Sequence, residues 1–106
     1  MSFRQKDHWG TYLWGFIHTI SIVDMEHNLD YNKSALAQLK GLVNSIPCEK
    51  CKMHYKQDLE ILDTLDLNQK MVLFYWSVDL HNKVNKKLNK MEWTYKMALE
   101  KWTRTL

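Results

Sequence analysis

Three glycines and one proline in 106 residues leave almost no material for the tight turns that hairpins need. Val and Ile are not prominent either, so local preference points to helices rather than strands. Pro and Gly never cluster, and no linker, repeat or low-complexity segment interrupts the chain. The length fits a single domain, 1–106. A chain this short buries only part of its surface, so its core needs large side chains or outside help. Five Trp, five Tyr, three Phe and six Met supply the first. A bound cofactor or a second subunit would supply the other.

Apolar residues at helical spacing divide the chain into four longer helices and a shorter fifth, an all-α bundle. The first helix is expected over about 7–24, with Leu13, Trp14, Ile17, Ile20 and Val23 as its stripe. Gly10 and Gly15 inside it cost ~1 kcal/mol each against Ala, which hints at close approach by another group. Asn28, Asp30 and Asn32 mark a turn. Asn32 suits the N-cap of a second helix that runs to about Ser45, with Leu36, Leu39, Leu42 and Val43 inward. Pro47 ends that helix and starts a third, from Cys48 to about Leu62. Asn68 is placed to cap a fourth helix running to about Lys90, in which Val84 and Leu88 belong to the core. A last helix follows from about Glu92 to Arg104. Bundles build cofactor sites between facing helices, so chemistry is expected there.

Composition removes several function classes. A net charge of +3 with only two Arg argues against a duplex-gripping surface. The segment 1–7 is polar, and Thr11, His18, Thr19 and Ser21 break the apolar stretch after it. Neither a secretory signal nor a membrane span is expected. Two cysteines allow at most one internal disulfide, far below the density of a stapled secreted scaffold.

Those two cysteines form Cys48-Glu49-Lys50-Cys51 at an expected helix start. Unpaired backbone N–H groups and the helix dipole favour a thiolate there, and Lys50 and Lys52 add positive charge. A thiolate is the species that exchanges with disulfides. The spacing alone leaves three readings open: a redox pair, half of a zinc site completed by His54 and another His, or two structural cysteines.

A second informative stretch runs from His81 to Lys90. His81 and Asn85 are one turn apart, and Asn82, Lys86 and Asn89 lie along another side. Asn is a poor helix former, and such local conflict often marks a functional site. As a ligand site, His81 offers a ring for stacking, the amides read polar ring edges and the lysines neutralise phosphate. A dinucleotide has all three features. RNA has them too, and a plain solvated basic face remains the bland alternative. Trp14, Trp76, Trp93 and Trp102 are further aromatic candidates, each more often core than cofactor wall.

Taken in order, these segments resemble the Erv/ALR family of FAD-linked sulfhydryl oxidases over about residues 10–102. The matching parts are Gly10-x-x-x-Trp14-x-x-x-His18, then Pro47-Cys48-x-x-Cys51, then His81-Asn82-x-Val84-Asn85-x-x-Leu88-x-Lys90, and finally Trp102. The resemblance implies a four-helix bundle with a short fifth helix, FAD held non-covalently in the bundle mouth, and a homodimer. It implies that Gly10, Trp14 and His18 belong to the cofactor pocket from the first helix. By the same resemblance, His81, Asn82, Val84 and Asn85 hold the flavin and adenine portions, Lys87 and Lys90 lie near ribose and phosphates, and Trp102 lies near the adenine. Cys51 is implied as the flavin-side cysteine and Cys48 as the one that exchanges with an incoming protein dithiol. Electrons then pass to FAD and to oxygen, giving hydrogen peroxide. His54 is placed to tune the thiolate or pack near the flavin, as small viral relatives also carry His there.

The chain departs from the family pattern in three places. Thr11 stands where an Arg is common. Tyr95 stands where a structural cysteine is expected, so packing must replace that staple. No second, shuttling cysteine pair is present, so electrons are expected directly from a partner such as a thioredoxin-like protein. Short length without shuttle or targeting segment resembles the forms made by large cytoplasmic DNA viruses. That implies a soluble protein of host cytoplasm or virion, with no membrane insertion and no nucleic-acid partner.

Overall fold

The computed structural model describes residues 6–22 and 29–104. Among these residues are five α-helices: α1 (Lys6–Ile22), α2 (Leu29–Gly41), α3 (Glu49–Leu62), α4 (Val72–Lys87) and α5 (Tyr95–Thr103). A short 3-10 turn, Leu42–Ser45, follows α2. Among the described residues there is no strand, as the scarcity of turn residues predicts. The expected end of the first helix at Val23 and Asp24, the turn residue Asn28 and the side chain of Thr11 lie outside the described residues.

The α4 helix is the centre of the fold. Val72, Leu73, Phe74, Trp76, Ser77, Val78 and Leu80 are all buried, so its first half is covered on almost every side. It packs most extensively on α1, which also meets α2 and α5. Two apolar clusters result. The larger joins Ile17, Leu39, Tyr55, Leu62, Leu73 and Trp76 across α1 to α4. The smaller places Ala98 of α5 over Ile22, Phe74 and Val78, with Trp102 packed against it.

The boundaries have local causes, and several differ from the expectation. Pro47 does end the preceding turn, because it forces Ile46 into an extended conformation (φ −79°, ψ 118°). It does not begin α3, however. Cys48 lies between them in extended conformation and caps α3, its Sγ accepting from the Cys51 N–H at 3.2 Å. Asn32 is not a cap. The α2 helix starts at Leu29, and the buried Asn32 amide donates to the Leu67 carbonyl at 3.1 Å, tying α2 to the α3–α4 connection. Asn68 is consumed by a turn in which its N–H donates to the Asp66 carboxylate at 3.0 Å. The α4 helix therefore starts later, after Met71 in the left-handed region (φ 66°).

The end of α4 also comes early. Asn89 adopts φ 55°, its N–H donates to the Lys86 carbonyl at 3.3 Å, and the Lys90 N–H donates to the Asn85 carbonyl at 2.8 Å. This is the Schellman pattern, with asparagine in the place that glycine usually takes. The stop turns Leu88 outward, 47% exposed, against its expected place in the core. Asn89 is thus a terminator rather than a misfit inside a helix. The last helix starts at Tyr95, capped by the Thr94 hydroxyl accepting from the Met97 N–H at 3.1 Å. It cannot start at Glu92, because both backbone polar groups of Trp93 are bound by the Asn82 side chain at 2.7 Å each.

Tyr95 ties α5 to α4 where a cysteine was expected. Its hydroxyl donates to the Asp79 carboxylate at 2.7 Å, and its ring lies 4.7 Å from that of Tyr75. A second crosslink joins α3 to α4 through Lys83 and the buried Asp58 at 2.5 Å. Among the described residues no helix is long and apolar enough to cross a membrane.

Candidate functional site

A cavity of about 270 Å³ lies between the second half of α4, the segment after it and α5. Its walls include His18, His81, Asn82, Asn85, Lys90 and Trp102, six of the residues expected at a cofactor site. Behind it is a tier of rings. Trp14 stacks on His81 with centroids 3.9 Å apart and planes within 7°. His18 lies 5.2 Å from His81 and 4.8 Å from Trp102, both stacked. One rim is cationic: the Lys101 ammonium sits over Trp93 at 5.0 Å and over Trp102 at 5.1 Å.

The two histidines are neutral. Burial, then the neighbouring His81 and Lys101, hold His18 down to about 3 from an ordinary 6.5. Burial, then Lys101 and Lys90, hold His81 down to about 4. Each ring therefore has one N–H and one lone pair at neutral pH. His18 Nδ1 lies 3.0 Å from the Ser77 hydroxyl, and His18 Nε2 lies 2.9 Å from His81 Nδ1.

The amides divide the work. Asn82 lines the cavity, but its oxygen and nitrogen hold the Trp93 backbone. Its main task is to fix the segment that carries Trp93 over the cavity. Asn85 is 6% exposed and lines the same cavity, and its side chain has no hydrogen-bond partner among the described residues. A buried amide left that way costs about 1–3 kcal/mol, so the site is built for a polar ligand edge.

Other expected site residues stand apart from the cavity walls. Val84, Gly10 and His54 are half-buried and line no part of it. Lys87 is exposed. Among the described residues a Cβ on Gly10 would meet nothing within 4 Å, whereas one on Gly15 would meet the Trp102 ring at 3.9 Å. Neither cysteine lines the cavity. Cys51 packs against the larger apolar cluster, as does Trp14, whose ring stacks on His81. Trp14 is thus the element shared between the cysteine side and the cavity side. Among the described residues no three His, Cys, Asp or Glu side chains gather as a metal-binding group.

Sequence reasoning missed Val78, Met91, Ala98 and Lys101 in the walls, and Ser77 behind them. Lys101 adjoins Trp102 in the chain, but its seat over Trp93 depends on how the segment before α5 folds back. No sequence signal would have given that. Ser77 was within reach, because a serine one turn before His81 sits on the same helix face.

Comparison with known proteins agrees with this geometry. A model of the Erv1/Alr family matches residues 11–103. An FAD-linked sulfhydryl oxidase of African swine fever virus is 32% identical over 84 residues, covering 78% of this chain and 70% of the viral protein. A probable FAD-linked sulfhydryl oxidase of Acanthamoeba polyphaga mimivirus is 28% identical over 106 residues, covering 94% and 72%. A putative FAD-linked sulfhydryl oxidase of Frog virus 3 is 38% identical over 61 residues, covering 58% and 41%. No solved structure gives a significant match. With its helical bundle, its aromatic cavity and a family match over nearly its whole length, the chain belongs to the Erv1/Alr family.

Proposed function

We infer that this chain is an FAD-dependent sulfhydryl oxidase, acting as one domain on protein dithiols with oxygen as acceptor. The observation that carries the reading is the cavity itself. It combines stacked rings, two lysines and a buried amide that lacks a partner among the described residues. FAD has flat rings, polar ring edges and a pyrophosphate, so the residues fit it. His18, His81 and Trp102 supply planes for its rings, with Trp14 stacked behind His81, Asn85 supplies an amide for a ring edge, and Lys90 and Lys101 supply charge for its phosphates. A dinucleotide is larger than the cavity, so it would extend past these walls. When bound, FAD supplies a two-electron carrier between the cysteine pair and oxygen, which leaves as hydrogen peroxide.

The remaining chemistry belongs to the cysteines. A substrate thiolate attacks the Cys48–Cys51 disulfide at Cys48, and Cys51 leaves as a thiolate. The second substrate thiol then displaces Cys48, so the substrate gains a disulfide and the pair holds two electrons. The α3 cap assists the second displacement. Cys48 Sγ accepts a backbone N–H bond at the positive end of the helix, which stabilises its anion as a leaving group. Cys51, one turn in, packs against the apolar cluster. The family resemblance implies a homodimer, and a sequence with a single cysteine pair suits direct electron transfer from a partner such as a thioredoxin-like protein.

Cys51→Ser tests the assignment. The variant should retain FAD and lose thiol oxidation by at least ~100-fold, since an activated nucleophile or leaving group has no substitute here. Unimpaired turnover would refute the cysteine mechanism.

A further inference from the structure

The hydrogen bonds behind the cavity form a chain with a defined direction. Ser77 is fully buried, and its hydroxyl lies 2.6 Å from the Phe74 carbonyl oxygen, which can only accept. The single hydroxyl hydrogen is therefore committed to Phe74. Towards His18 the Ser77 oxygen can only accept, so His18 Nδ1, at 3.0 Å, carries the ring N–H. A neutral His18 then has a lone pair on Nε2. Across 2.9 Å, His81 Nδ1 must donate to it. That leaves the second lone pair, on Nε2 of His81, as the end of the chain. His81 lines the cavity, and its Nε2 meets no partner among the described residues.

We propose that Ser77 is a positioning residue that fixes, through His18, the tautomer in which His81 offers an acceptor to an N–H or O–H donor of the bound ligand. The proposal deepens the flavin reading and rests on it for the ligand's identity. Its physical basis is the one-way accounting of a buried chain: each ring has one proton, and reversing any link leaves a buried N–H facing another donor. Ser77 does not itself line the cavity, yet through His18 it decides whether the wall accepts or donates at His81.

Removing the hydroxyl should reverse the chain. In Ser77→Ala, His18 Nδ1 loses its acceptor, and a buried lone pair is cheaper to leave than a buried N–H. His18 would then carry its proton on Nε2 and donate to His81 Nδ1, which places the remaining His81 proton on Nε2. The wall would present a donor where the ligand also donates.

Long-range proton–nitrogen NMR correlation on histidine-labelled protein reads both tautomers, with and without FAD. The wild type should show Nδ1–H at both rings. Ser77→Ala should show Nε2–H at both and bind FAD about tenfold more weakly, the order expected for one buried hydrogen bond. Ser77→Thr keeps a hydroxyl and should restore both readouts. Nε2–H rings in the wild type, which needs no variant to fold, would overturn the proposal. So would unchanged tautomers in Ser77→Ala. A wild-type chain that keeps both Nδ1–H rings but binds no FAD would refute the flavin reading and support the hydrogen-bond chain.

Discussion

Acid should destabilise this protein through its two cavity histidines, well before ordinary carboxylates titrate. In the unfolded chain both rings regain the ordinary value of 6.5, whereas folding holds His18 to about 3 and His81 to about 4. Between those limits the unfolded state binds protons that the folded state refuses. The histidine contribution to stability is therefore complete above about pH 7 and falls as the pH drops from 6.5 towards 4 and then 3. At pH 5 the folded rings are still neutral, so the loss depends on the unfolded value alone. Each ring then costs 1.5 pH units, or about 2 kcal/mol. His18, at 1% exposure, contributes that in full, and the half-buried His81 contributes less. The pair should remove about 2–4 kcal/mol from a total that rarely exceeds 15 in a domain of this size. Urea unfolding at pH 7.5, 6 and 5 measures it, with the variant His18→Gln alongside. The wild type should lose about 2 kcal/mol more than the variant between pH 7.5 and 5. Parallel stability curves, or a wild type whose stability is flat over this range, would refute the neutral buried pair.

Three further outcomes follow from the site. Asn82→Ala releases both backbone groups of Trp93 and should cost about 1–3 kcal/mol, with faster amide exchange at Trp93 and at the α5 cap; unchanged protection there would contradict the clamp. Lys101→Met removes a cation that holds both histidines down, so NMR titration should find His18 and His81 at higher pH than in the wild type, and no upward movement would contradict that coupling. Asn89→Ala should destabilise by about 1 kcal/mol because alanine is disfavoured at φ 55°, while Asn89→Gly should not; equal thermal midpoints for alanine and glycine would contradict the Schellman stop.

Much of the architecture is legible in the chain, and the exceptions share a physical cause. Helical spacing and missing turn residues identify the helices, and Pro47 marks the break before α3. Apart from the start of α3, which Cys48 caps, the boundaries that move do so where an asparagine does something other than the local rule suggests. Asn32 reaches across to Leu67, Asn68 closes a turn on Asp66, Asn82 holds Trp93 and Asn89 ends α4. A small amide can serve a cap, a turn or a tertiary bond with similar energy, and only the fold decides which. Of the site, His18, His81, Asn85, Lys90 and Trp102 come together as the ordered motifs imply. Lys87 and His54 do not, because one lies on the exposed side of α4 and the other belongs to α3. Ser77 is legible as a residue one turn before His81, but its role towards His18 shows only once the fold brings the two together.

The central claim is that dithiol electrons reach a flavin held by this chain. The most direct test is the visible absorption spectrum of the purified protein before and after a dithiol is added under air. The account predicts a yellow protein whose flavin band bleaches with dithiol and returns as oxygen reoxidises it. A folded protein that is colourless and stays so with added FAD would contradict it.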